Sequence, residues 1–158
     1  MIAIGETLVR VKGVSSDVAR RVRDTMRDDF GNRLRVRTVD STAPCRHCLR
    51  IAPPGSRMIL FAYRPFPQDF GPYAETGPIF IHADACEQYR DVTALPPGYR
   101  PRELVVRAYD AAGEIADSVI VRATDALRQA AAFYAQADIA FVHARHPAYG
   151  CFAFEIER

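Results

Sequence analysis

Glu103-Leu-Val-Val-Arg-Ala-Tyr-Asp-Ala111, a turn at Ala112-Gly113, and Glu114-Ile-Ala-Asp-Ser-Val-Ile-Val-Arg-Ala123 decide the fold class of this chain. Two runs rich in β-branched residues on either side of a glycine predict a β-hairpin, and a hairpin commits its sheet to antiparallel pairing. Val105, Arg107 and Tyr109 share one face of the first run, while Leu104 and Val106 share the other. Residues 103–106 are thus apolar on both faces, which predicts a central strand covered on both sides. Met58–Tyr63 has the same character, and Ile79–Ala83 is a further short apolar strand. Residues 138–145 and 150–157 are expected to close the chain as a hairpin around His146-Pro-Ala-Tyr149, with Ala144 across from Cys151.

Farther out, residues 6–12 and 33–39 alternate with period two and predict strands. Between them Ser15-Ser16-Asp17 offers a helix cap, Val18, Val22 and Met26 fall on one helical face, and Gly31 is expected to end the helix. Thr124 or Asp125 is expected to cap a second helix with Leu127, Ala131 and Tyr134 inward. Eight strands and two helices predict an α+β single domain over 1–158: a largely antiparallel sheet of about seven to eight strands with two main helices. Residues 1–40 supply a strand-helix-strand start and 41–158 the remainder.

The chain has 158 residues, 49% hydrophobic and 25% charged, with a formal net charge of +2. That suits one soluble globular core and excludes a mostly disordered or fibrous chain. Apolar runs are too short for a membrane span, and the first residues carry no secretory pattern, so the expected setting is cytoplasmic with reduced thiols. Twenty arginines stand against one lysine, Lys12. Because 19 acidic residues are interspersed with them, nucleic-acid binding is not expected. The stripe Arg33, Arg35, Arg37 has no interleaved aromatic and is expected to be a solvated face.

Gly-rich phosphate loops, dinucleotide fingerprints, His-Glu-x-x-His and Gly-x-Ser-x-Gly are all missing from the sequence. What remains is Pro44-Cys45-Arg46-His47-Cys48 in a turn-rich stretch from Ser41 to Pro54. Cys45 and Cys48 could supply half of a tetrahedral zinc site, completed by His82 and Cys86 or by His143, His146 and Cys151. Thioredoxin-like chemistry is disfavoured, because Pro53-Pro54-Gly55 leaves no room for the helix that would activate the first thiol. The plainest reading makes both cysteines small buried apolar residues. In the closing hairpin, Cys151 and His146 are weak candidates for a nucleophile and its base, with no orienting third group.

A second constellation is arginine-rich. Arg64, Arg107 with Tyr109, and His143 with Arg145 each end a strand face that begins apolar. Should these ends converge, they would line a pocket for a carboxylate or phosphate. The expected binders are Arg50, Arg64, Arg107, His143 and Arg145, with Tyr73 and Tyr149 as walls and a small anionic molecule or peptide group as the partner. The Pro/Gly-rich segment 64–73 carries aromatics and is expected to pack onto the body.

Pro-Cys-Arg-His-Cys-Leu-Arg (44–50), Gly-Pro-Ile-Phe-Ile-His (77–82), Val-Arg-Ala-Tyr-Asp (106–110), Val-His-Ala-Arg (142–145) and Tyr-Gly-Cys-Phe (149–152) together resemble the bacterial domain-of-unknown-function family 1203. The likeness runs from about residue 41 to the end. It implies a bacterial, cytoplasmic setting and carries no catalytic residue across. It also implies that a four-ligand zinc site built on Cys48 and His82 is not a family trait, since relatives often have Pro-Cys-Arg without the second cysteine and an arginine near the place of His82.

Overall fold

The predicted hairpin forms one side of the larger sheet, its second strand at the edge. In the computed structural model, which describes residues 7–136 and 138–158, β7 (Glu103–Asp110) pairs with β8 (Ile115–Arg122) in antiparallel register, Leu104 opposite Val121. Asp110 Oδ1 accepts from the amides of Ala112 and Glu114 and so ties the turn, while Gly113 supplies the left-handed backbone. On its other edge β7 meets β9 (Ile139–Arg145), followed by β10 (Phe152–Glu157) and β1 (Arg10–Lys12), giving the order β1-β10-β9-β7-β8. The remaining strands are β2 (Val36–Thr38), β3 (Ala43–Pro44), β4 (Ile51–Ala52), β5 (Arg57–Tyr63) and β6 (Gly77–His82). They form a three-stranded sheet β2-β5-β6 and a two-stranded ribbon β3-β4. The architecture is α+β and largely antiparallel, divided among three sheets. Both two-faced apolar strands, β5 and β7, have a partner on each side. Among the described residues no helix is long and apolar enough to cross a membrane.

Two apolar clusters follow from this division. Helix α2 (Ala126–Tyr134) lays Ala126, Ala130, Phe133 and Tyr134 against Leu104, Val106, Ala108, Val142, Ala144, Phe154 and Ile156 on one face of the five-stranded sheet. The alanines let helix and sheet approach closely, and Tyr134 finds a partner for its hydroxyl in Ile156 O at 2.7 Å. Helix α1 (Ser16–Thr25) packs Ala19 and Val22 with Met58, Ile59, Phe61, Ile79 and Ile81 of the smaller sheet.

Several local expectations are corrected. Helix α1 is capped by Ser15 as foreseen, but it stops at Met26 (φ 50°), short of Gly31. Asp28 takes over there, its carboxylate accepting from Phe30, Asn32 and Ala62, so a side-chain-centred turn wins over further helix. Asp125 precedes α2 without capping it, because its carboxylate accepts from Arg128. Only Arg10–Lys12 of the expected strand 6–12 pairs, and Glu6 lies outside the described residues. In the closing hairpin Ala144 pairs with Phe154, not Cys151: the turn runs on until the His146 amide meets Cys151 O, which sets Arg145 opposite Phe152, and a bulge between Phe152 and Phe154 adds one more residue.

The segment 64–76 lies as a strap over the other face of the large sheet. Phe66 and Phe70 pack edge-on or tilted against the stacked rings of Tyr109 and Phe141, at centroid separations of 5.0–6.0 Å, whereas Tyr73 is exposed. Gly113 abuts the strap: a Cβ there would sit 2.3 Å from Phe70 O. Gly150 has a similar positive φ (74° against 89°) with open space around it. Alanine should therefore cost about 1 kcal/mol at Gly150 and at least about 2–3 kcal/mol at Gly113, where a clash adds to backbone strain. Denaturant melts of Gly113→Ala and Gly150→Ala read this difference, and equal losses would show that the strap does not bear on the turn.

Candidate metal centre and arginine wall

Strands β3 and β4 present Cys45-Arg-His-Cys48 at the tip of their ribbon. The turn is closed by the Leu49 amide donating to Cys45 O at 2.9 Å, with Leu49 at φ 60°. Cys45 is also bridged to Phe80 of β6, which brings the end of β6 and the residues after it alongside. As a result the Cys45, Cys48 and Cys86 sulfurs and a His82 ring nitrogen all lie within 4.8 Å of one another. Cys45 Sγ is 3.9 Å from Cys86 Sγ, and Cys48 Sγ is 3.4 Å from His82 Nδ1. Tetrahedral zinc with bonds of about 2.3 Å to sulfur and about 2.0 Å to nitrogen separates such ligands by roughly 3.5–3.8 Å. The four residues are one of the two completions of the Cys45–Cys48 pair that the sequence left open.

Hydrogen-bond donors surround the sulfurs, as thiolates require. Arg23 Nη2 donates to Cys86 Sγ at 3.2 Å and the His82 amide to Cys45 Sγ at 3.3 Å. His47 Nδ1 lies 3.1 Å from Cys86 Sγ, with its Nε2 3.0 Å from Ser16 Oγ. An Nδ1–H tautomer satisfies both contacts, the serine hydroxyl donating to Nε2. Burial and the Arg23 guanidinium push the His47 pKa down, so the ring is neutral. Hydrogen bonds from Cys48 and Cys86 hold the Cys45 thiol far below the ordinary range, while bonding to Cys45 pushes Cys48 and Cys86 up. Helix α1 contributes Ser16 and Arg23, two turns apart on the face that also buries Ala19.

Sequence reasoning missed Ser16, Arg23, Arg46 and His47. Arg46 is 2% exposed, and its guanidinium donates to Phe152 O, Pro44 O and Cys151 Sγ at 2.8, 2.8 and 3.1 Å. Cys151 and His146, paired in the sequence reading, turn to different partners: Cys151 to Arg46, and His146 to Tyr99, whose hydroxyl is 3.5 Å from Nε2.

The arginine wall forms in part. Arg107 and His143 are register partners, with Tyr109, Phe141 and Arg145 on the same face beneath the strap. Glu75, unremarked in the sequence, bridges two of them: Oε1 accepts from Arg107 Nη1 at 3.1 Å and Oε2 from Arg145 Nη2 at 2.7 Å. Arg64 Nη2 donates to Gln68 O. Arg50 and Tyr73 are exposed, and Tyr149 stands 91% exposed at the tip of the closing turn, so these three do not line this wall.

His143 and His146 are both held neutral. Burial, then Arg145 and Arg107, bring His143 to about 3. Burial, then Arg46 and Arg102, bring His146 to about 3. Because both folded pKa values lie below the unfolded one, stability is full above about pH 6.5 and is lost as pH falls from there toward 3, by about 1.4 kcal/mol per pH unit for each ring. Glu155, opposite His143 and raised by burial, offsets part of this near the carboxylate range. His146→Phe should therefore flatten the stability curve between pH 6 and 4.5 relative to the parent. Parallel slopes in urea titrations would refute the buried neutral ring.

Residues 42–158 match the model of a family described as "Protein of unknown function (DUF1203)". Neither a curated protein nor a solved structure matches the chain. The matched stretch holds the four clustered ligands, Arg46, His47 and the arginine wall, and leaves out α1 with Ser16 and Arg23.

Proposed function

The chain belongs to the DUF1203 family, and we propose that it is a zinc-binding protein whose ion sits among Cys45, Cys48, His82 and Cys86. The observation that carries this reading is the meeting of three thiols and an imidazole from separate segments within 4.8 Å, ringed by donors to sulfur. Four protein ligands complete a tetrahedron and leave no position for water, so the role is structural: the ion would fasten the ribbon tip to β6 and the segment after it. Zinc with three thiolates carries a net charge of −1, which suits the nearby Arg23 and Arg46.

Purified protein should contain about one zinc per chain, Cys48→Ser should lose it, and chelation should lower the melting temperature and expose thiols to alkylation. Metal-free protein whose melting temperature is unmoved by added zinc would overturn the proposal. A second reading, binding of a small anionic molecule, is favoured by one observation: Arg145, 5% exposed, keeps Nη1 without a hydrogen-bond partner among the described residues.

A further inference from the structure

The arginine wall is built more rigidly than a surface ion pair. Arg145 donates through Nε to Gly150 O at 2.9 Å and through Nη2 to Glu75, and its side chain is only 7% exposed. Arg107 comes from the neighbouring strand with a side chain 23% exposed. Two guanidiniums from paired strands thus face one carboxylate, leaving excess positive charge in a partly desolvated place. Hydrogen bonding is incomplete in the same sense. Arg145 Nη1, Arg107 Nε and His143 Nδ1 are buried and lack partners among the described residues. The two guanidinium nitrogens are donors, while His143 Nδ1 donates or accepts according to its tautomer; buried donors without partners are rare and mark a place where a further acceptor belongs.

Glu75 differs from the groups it bridges. Its side chain is 50% exposed, and it rides on the strap, whose apolar anchors Phe66 and Phe70 lie farther back in the chain. Releasing a half-exposed carboxylate costs little, whereas Arg145 cannot leave. Beside the bridge lies a cavity of about 20 Å³ lined by Tyr63, Glu75, Gly77, Arg145, Cys151 and Phe152 among others. That is room for little more than one small group beyond the carboxylate itself, which selects for compactness.

We infer that Arg107 and Arg145 form an oxyanion seat that Glu75 occupies as a tethered stand-in, and that its ligand is a compact dianion, a phosphate or a small dicarboxylate. This rests on the anion reading and adds its class and its internal competitor. A dianion meets two guanidiniums with matching charge and offers more acceptor oxygens to the orphan donors than Glu75 can. With Glu75 in place, the seat is open for a minor fraction of the time, and apparent affinity is reduced by that fraction.

The test compares the unaltered chain with Glu75→Gln and Glu75→Ala by calorimetry and melting. The probes are inorganic phosphate, succinate and acetate, against chloride at equal ionic strength. Phosphate or succinate should bind either variant about tenfold tighter than the unaltered chain, taking the seat as about a tenth open. Acetate should bind more weakly, and adding Arg107→Gln should abolish binding. Equal affinity with and without Glu75 would overturn the stand-in while leaving an anion site. No effect beyond chloride in any of the three proteins would overturn both. Acetate binding as tightly as phosphate would overturn the dianion class.

Discussion

A turn with every side chain buried holds this molecule together. Cys45, Arg46, His47 and Cys48 are between 0% and 8% exposed, although they sit in a loop, where main-chain polar groups ordinarily rely on water. Each must find an internal partner. The Arg46 amide donates to Phe80 O and its carbonyl accepts from Val14, while His47 O accepts from Tyr89. Those bonds stitch the turn to β6, to the start of α1 and to the segment after Cys86. Gly13 is required by the same closeness, since a Cβ there would lie 2.4 Å from His47 O.

Charge imposes a second condition on the turn. Arg46 is enclosed by two carbonyls and a sulfur, with no carboxylate among its hydrogen-bond acceptors. Burial draws its pKa down, opposed by Tyr99, Cys151 and Cys45. A buried guanidinium is tolerated only where its donors are satisfied and negative charge lies near. Thiolates gathered around a divalent ion would supply that charge without a carboxylate. On this view the arginine and the metal ligands of one motif depend on each other.

What the sequence makes legible follows from the range of the forces involved. The hairpin of β7 and β8 can be read from alternation and Gly113, because both signals lie within a few residues. The candidate metal ligands can be read as types, since Cys45 and Cys48 are close-set and His82 and Cys86 lie four apart, but their meeting depends on the bridge from Cys45 to Phe80, which no local pattern announces. Ser16 and Arg23 look like ordinary polar positions of an amphipathic helix. Arg107, His143 and Arg145 are visible because each interrupts an apolar strand face. Glu75 is one of two acids, with Asp69, in a Pro/Gly-rich segment and has no such contrast. The Cys151–His146 pairing fails although the His146 amide donates to Cys151 O, because Arg46 engages the thiol and Tyr99 the ring, and no local pattern announces either partner.

Compositional bias hides which arginines are placed for the interior, and burial separates them again. Of twenty arginines, only Arg46 and Arg145 are nearly enclosed, at 2% and 5%. Most others do what an arginine-rich surface does, as in the exposed pairs of Arg20 with Asp17 and Arg128 with Asp125. The enclosed two grip adjacent residues of the same closing turn, Arg46 at Cys151 and Phe152 O, Arg145 at Gly150 O. Each then turns the rest of its guanidinium elsewhere, Arg46 to Pro44 O beside the metal ligands and Arg145 to Glu75. Enclosing a guanidinium is costly, and one such group would suffice to pin a hairpin turn. That the chain encloses two, one at each proposed site, argues that their placement answers to the sites as well as to the fold.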